Sequence, residues 1–117
     1  MTLDLLRWTP EEHMLVVLYV MGPMTGLPDS NRPAFRAAAD QLRDAGYIVR
    51  SPIEACPDCT DWTVGMRVAL RQLTLSTAVA ALDGWTRSQG ARLEALVAMR
   101  LGMPVRPVEW WLQEAQL

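Results

Sequence analysis

The chain contains no lysine, a single histidine and a single phenylalanine. All eleven basic residues are therefore arginines, and neither Schiff-base nor lysine-base chemistry is available. His13 and the two cysteines fall short of the four ligands of a structural zinc site; no metal site and no cofactor are expected. The net charge is only −2, so the basic surface that a nucleic-acid backbone requires is missing, and no nucleic-acid polymer is expected as a partner. Long hydrophobic runs are also missing, because nothing approaches the ~20 apolar residues of a membrane span. The apolar run at 14–21, MLVVLYVM, is short, rich in β-formers and preceded by Glu11 and Glu12. It reads as a buried strand and not as a signal peptide. Without a targeting segment or a membrane partner, a cytoplasmic location is the expectation.

What is present is the composition of a globular domain. Half of the 117 residues are hydrophobic, enough for one buried core and too few residues for two, which gives a single domain over 1–117 with its core at about 14–108. Cys56 and Cys59 sit in a Cys-Pro-Asp-Cys loop. Three readings stand beside one another: a redox pair, which wants its first cysteine at a helix N-terminus; half of a metal site; and two free thiols that form an occasional disulfide.

Strands and helices alternate along the chain. After the strand at 14–21, Gly22 and Pro23 open a loop, and Asp29 or Ser30 is expected to cap a helix over 31–45 with Pro33 in its first turn and Phe35, Ala38, Ala39 and Leu42 on its apolar face. A short strand at 47–50 is halted by Ser51 and Pro52, and a loop through the cysteines follows. Thr60 or Asp61 then caps a helix to about 75 whose expected face is Val64, Val68, Leu70, Leu73 and Leu75, with Met66 near it. A third strand at 77–82 ends in Asp83-Gly84-Trp85, and Ser88 caps a helix through 101 with Leu93, Leu96, Val97 and Leu101 as expected core positions. Residues 103–108 carry two prolines that remove ladder donors and so form an edge strand. A C-terminal helix holds Trp110, Trp111 and Leu112, while Thr9 to Glu12 resembles a helix start with room for one turn. Alternation with short loops predicts an α/β fold: a small doubly wound (Rossmann- or flavodoxin-like) three-layer sandwich around a mainly parallel sheet of four to five strands in the order 2-1-3-4.

In such a sheet ligands bind at the carboxyl ends of the strands, where the strand order reverses. That rule selects residues 22–26 after the first strand, 51–61 after the second and 83–90 after the third, the first and third facing each other. Gly22, Pro23, Met24, Thr25 and Gly26 form a glycine-bearing segment whose backbone can approach a ligand, although it has neither the dinucleotide spacing nor the lysine of a phosphate loop. Ser88, Gln89 and Gly90 start a helix whose free N–H groups attract an anion. Glu94 shares a helical face with Gly90, Ala91 and Ala98, where small neighbours leave room above a carboxylate; a solvated surface glutamate has the same spacing.

The blocks YVMGPMTG at 19–26, Pro33 to Phe35, LRDAGY at 42–47, Trp62, Met66-Arg67 and GWTRSQGARLE at 84–94, with Ala98, Leu101 and Gly102, follow one pattern. Over about residues 15–106 it resembles a small phage- and prophage-borne domain of unassigned role, related to the nucleoside 2-deoxyribosyltransferases and the deoxynucleoside-monophosphate N-glycosidases. The resemblance implies that Glu94 attacks the anomeric carbon of a deoxyribosyl group, that Tyr19 orients it, and that Asp83 or Asp61 protonates the leaving base. It implies further that a nucleoside or nucleotide binds along 22–26, Asp61, Trp62, Trp85, Ser88 and Gly90, and that the chain forms a homodimer or larger homo-oligomer in a bacterial host cell. Related sequences carry an aspartate where Ala69 stands and another where Thr77 stands, and a proline in place of Asp83. These departures keep a second expectation open: a catalytically silent protein that holds a nucleotide or a nucleotide-derived signal.

Overall fold

The computed structural model describes residues 16–116. His13, the helix start expected at 9–12 and the first two residues of the strand expected at 14–21 lie outside these. Four strands, β1 (Val17–Met21), β2 (Ile48–Arg50), β3 (Ala78–Ala81) and β4 (Val105–Pro107), form one sheet in the order β2-β1-β3-β4. Every pairing is parallel, with Tyr19 opposite Arg50 on one side and Val79 on the other. Five α-helices, α1 (Arg32–Asp44), α2 (Pro52–Ala55), α3 (Trp62–Thr74), α4 (Gln89–Arg100) and α5 (Val108–Glu114), connect and cover it. The architecture is the α/β sandwich expected from the alternation, with four strands. None of the helices among the described residues is long and apolar enough to cross a membrane.

The two faces of the sheet bury different residues, because side chains alternate along a strand. Leu18 and Val20 point to the face covered by α1 and α5, where Phe35, Leu42 and Trp111 are fully buried. Tyr19 and Met21 point to the face covered by α3 and α4, where they meet Ala69, Leu73, Ala91, Ala95 and Ala98. On α5, Trp111 donates its indole N–H to the Val79 carbonyl (2.9 Å) and accepts at its own carbonyl from the Tyr47 hydroxyl (2.7 Å). One tryptophan of the expected pair therefore seals the sheet within the chain; Trp110 is 39% exposed and lies beneath the Arg106 guanidinium.

Several expectations are corrected. Neither Asp29 nor Ser30 caps α1: residues Asp29, Ser30 and Asn31 all take positive φ values of 51–61°, Asn31 occupies the N-cap position, and its side-chain amide donates to the Pro23 carbonyl (3.0 Å) instead. Asp61, not Thr60, caps α3, accepting from the Val64 N–H at 3.0 Å. The loop expected after Ser51 contains the four-residue helix α2. Two expected apolar faces hold only in part: Leu73 is fully buried and Leu70 and Val97 pack against the core, while other members turn outward. On α3, Val64 and Leu75 are about half exposed and the buried residues are Ala69 and Leu73. On α4, Leu93, Leu96 and Leu101 are exposed, whereas Ala91, Glu94, Ala95 and Ala98 are buried. For α4 the physical reason is complementarity of volume: β1 already contributes Tyr19 and Met21 to this face and α3 contributes Leu73, so α4 packs there at interior density with alanines.

Candidate active site

The carboxyl ends of β1 and β3 are forced together by a glycine. A Cβ on Gly22 would lie 2.7 Å from the Leu82 Cβ and 2.8 Å from its Cδ1, and the Leu82 N–H donates to the Met21 carbonyl at 2.7 Å. Only a residue without a side chain fits there. The neighbouring loops also touch, since a Cβ on Gly84 would meet Pro23 Cγ at 3.6 Å. Beside this seam, between α1, α3 and α4, a cavity of about 280 Å³ opens to the surface.

Glu94 is 5% exposed on the wall of that cavity, and its carboxylate accepts a hydrogen bond from the Tyr19 hydroxyl, itself fully buried. The pairing follows from the two periodicities. Tyr19 is an odd position of β1 and faces α4, and Glu94 lies on the same face of α4 as Ala91, Ala95 and Ala98, which carry too little side chain to cover it. Burial raises the Glu94 pKa to about 7, against an opposing downward effect of the hydrogen bond from Tyr19. Burial, and after it the neighbouring Glu94 carboxylate, holds the Tyr19 phenol well above its usual range. The tyrosine therefore stays protonated and donates, while the glutamate is poised between its two states near neutral pH.

Ser88 starts α4 by accepting from the Ala91 N–H at 3.2 Å, the local reason the helix begins where it does. Gly90 is there for clearance: a Cβ on it would lie 3.2 Å from Met66 Sδ and 3.7 Å from the Trp62 Nε1. Of the residues singled out from the sequence, Tyr19, Gly22, Met24 and Thr25 line the cavity from the β1 side. Asp61 and Trp62 line it from α3, and Ser88, Gly90 and Glu94 from α4. Pro23, Gly26, Asp83 and Trp85 do not line it. Pro23 is turned toward Asn31 and Gly84, Gly26 makes an exposed turn with φ 81°, and Asp83 is exposed. Trp85 packs against the apolar cluster beneath α3 and α4.

Sequence reasoning missed several wall residues. Arg32, the cation among the lining residues described, comes from the first turn of α1, where it is held by Asp29 (3.0 Å) and by the Pro57 carbonyl (2.8 Å). Phe35, expected on the apolar face of its helix, and Ile53, in the segment expected as a loop, form part of the cavity wall. Cys56 and Cys59 also line the cavity and are joined as a disulfide, where free thiols had been one expectation. Cys56 ends α2 rather than starting a helix, and no group of three metal-ligating side chains occurs among the described residues. Of the three positions that depart from the resembled pattern, Ala69 lies on the cavity wall and Asp83 does not. Thr77 lies away from it, at the start of β3, where its Oγ1 accepts from the Val17 N–H at 2.9 Å.

Comparison with known proteins agrees with this architecture. A family described as a domain of unknown function (DUF4406) matches residues 16–106, and the chain belongs to that family. A solved structure of a 2-deoxyribosyltransferase from the psychrotolerant bacterium Bacillus psychrosaccharolyticus superposes with a TM-score of 0.59 at 22% identity, covering 76% of this chain and 69% of that one. At that identity the likeness establishes the fold. No curated protein matches the chain in sequence.

Proposed function

We propose that the protein acts on the N-glycosidic bond of a nucleoside or nucleotide, as a deoxyribosyltransferase or an N-glycosidase, with Glu94 as nucleophile. The observation that carries this reading is a carboxylate buried to 5% exposure, held by the Tyr19 hydroxyl, that forms part of the wall of an open cavity. Burying a carboxylate without a cationic partner is costly, and such arrangements concentrate where chemistry is done. A carboxylate Oε attacks the anomeric carbon as the bond to the base breaks, giving a covalent glycosyl intermediate; water or a second base then displaces the enzyme. The departing base takes a proton, and we assign its delivery to Asp61, the other acidic residue lining the cavity among those described. Asp83, exposed and off the wall, is not given that role. Trp62 offers flat apolar surface to a base, and Arg32 with the hydroxyls of Thr25 and Ser88 offers polar contacts to a sugar or phosphate.

The test is incubation with a panel of 2′-deoxynucleosides and their 5′-monophosphates, with free base detected by chromatography. Wild-type protein is expected to release base, and Glu94→Gln to fall to background. Activity surviving that substitution would remove Glu94 from the mechanism. Ala69 favours a second reading, in which the cavity holds a nucleotide without cleaving it, because the resembled enzymes carry an aspartate at that point of the wall. Measurable nucleotide affinity with no base release from any substrate selects this reading.

We further propose that the chain works as a homodimer or larger assembly. The exposed apolar row Leu93, Leu96 and Met99 on α4 supports it. A mass measurement showing only monomer at micromolar concentration overturns it.

A further inference from the structure

The disulfide between Cys56 and Cys59 is a wall of the same cavity that contains Glu94. Its four residues bridge the end of α2 and the start of α3 and are followed directly by Thr60, Asp61 and Trp62, all three on that wall. The bridge also packs onto the helix it precedes, since a Cβ on Gly65 would meet the Cys59 Cβ at 3.8 Å. One turn of helix away, Trp62 and Met66 close over Gly90, at the start of the helix that carries Glu94. A continuous set of contacts therefore runs from the disulfide through the first turn of α3 to the first turn of α4. Besides the disulfide, the loop at 56–61 is held by backbone bonds from the Cys56 N–H to the Pro52 carbonyl (3.0 Å) and from the Cys59 N–H to the Cys56 carbonyl (3.5 Å), by the hydrogen bond from Arg32 to the Pro57 carbonyl and by the Asp61 cap. Both cysteines are partly accessible, and Pro57 and Asp58 between them are exposed, so a small thiol can reach the bridge.

We infer that Cys56 and Cys59, which lack the helix-N-terminal setting of a catalytic dithiol, form instead a reversible thiol–disulfide switch whose state sets the geometry of the cavity wall. The chemistry is exchange with a low-molecular-weight thiol. A thiolate attacks one sulfur of the bridge to give a mixed disulfide and one free protein thiolate; a second small thiolate then displaces the protein sulfur. In balance, the protein disulfide and two small thiols become the protein dithiol and one small disulfide. Oxidised, the short ring holds Trp62 against Gly90 and the cavity is preorganised; reduced, the loop samples more conformations and the wall at 60–62 loosens. Ligand binding is then expected to be about tenfold weaker in the reduced form. By reciprocity the bound ligand makes the bridge about tenfold harder to reduce, a shift of about 30 mV for a two-electron couple. The inference concerns the wall itself and holds whichever ligand the cavity takes.

The experiment equilibrates the full chain in graded mixtures of reduced and oxidised glutathione and reads the thiol state by alkylation and mass spectrometry. Amide hydrogen exchange over residues 59–66 and 88–94, and calorimetric titration with the four 2′-deoxynucleosides and their 5′-monophosphates, are then measured in each state. The expected result is a reversible two-electron transition, faster exchange in both segments on reduction, and a redox-insensitive Cys56→Ser/Cys59→Ser double variant that matches the reduced form. A bridge that glutathione never reduces, identical exchange in the two states, or a probe that binds both states equally would overturn the proposal. If no probe binds either state while the exchange difference persists, the redox site stands and the nucleotide reading of the cavity fails.

Discussion

On one face of the sheet, Phe35, Leu42 and Trp111 fill the space over Leu18, Val20 and Ala80; on the other, Ala69, Ala91, Ala95 and Ala98 meet Tyr19 and Met21. The first face is built of large apolar side chains from the helices and leaves no described titratable group buried. The second takes its bulk from Tyr19 and Met21 of the strand and from Leu73 of α3, takes alanines mainly from α4, and buries a carboxylate. The difference separates two tasks: large interlocking side chains supply cohesion, and alanines let a helix carry a polar group close to the sheet with space beside it. Stability and chemistry are thus assigned to opposite faces of one strand.

The largest expected effect breaks the first face. Trp111→Ala removes a fully buried indole together with its hydrogen bond to Val79, and should lower unfolding stability by about 3–5 kcal/mol in chemical denaturation. Glu94→Gln should act in the opposite direction. The folded-state pKa of Glu94 is raised from 4.5 to about 7, so the protonated form is the one the fold favours; the contribution of this group to stability is therefore full below 4.5 and is lost as pH rises through about 7. At about 1.4 kcal/mol per unit, that loss is on the order of 3 kcal/mol. Denaturation curves between pH 4.5 and 8 should show Glu94→Gln without this decline and more stable than wild type at pH 8, and equal slopes for the two proteins would refute the assignment.

Tyr19→Phe probes the contact between strand and helix on the second face. Its hydroxyl is the group that lowers the Glu94 pKa, so the substitution should move the rising limb of the activity–pH profile to higher pH and reduce the rate at pH 7 by roughly tenfold. A slower enzyme with an unshifted limb would mean that Tyr19 serves packing alone. The smallest stability effect is expected at Gly90→Ala. The added methyl meets the flexible end of Met66 at 3.2 Å, and helix propensity offsets the crowding, so stability should stay within about 0.5 kcal/mol. Nucleotide affinity should nonetheless weaken several-fold, because the methyl pushes Met66 and Trp62 at the cavity wall; unchanged affinity would show that this wall tolerates displacement.

The sequence was most legible where local chemistry decides the outcome. Ser88 caps α4, Asp61 caps α3, the prolines at 104 and 107 mark an edge strand, and strand–helix alternation fixes a parallel sheet in the order found. The proximity of Tyr19 and Glu94, 75 residues apart in sequence, was legible only through the resembled pattern. What escaped was decided by tertiary packing. Helix α4 carries a leucine-bearing stripe and an alanine-bearing one, and hydrophobicity selects the leucines; the volume already occupied by Tyr19, Met21 and Leu73 selects the alanines. The left-handed turn at 29–31 has no glycine to announce it, and it brings Arg32 to a wall that the sequence assigned to other loops. Asp83 was chosen for its position after β3, yet the chain turns at Gly84, with φ 83°, and leaves it in solvent.

The hydrogen bonds that join Trp111 to Tyr47 and Val79 also bear on the order in which the protein is made. Tyr47, Val79 and Trp111 are joined across 64 and 32 residues of sequence, and the last of them belongs to the final helix. A nascent chain that has released β1, β2 and β3 still presents the large-residue face of its sheet to the surroundings, because the indole that closes it has yet to be translated. Closure of this face therefore waits on α5, and until that helix docks Leu18, Val20 and Ala80 lack the indole that covers them.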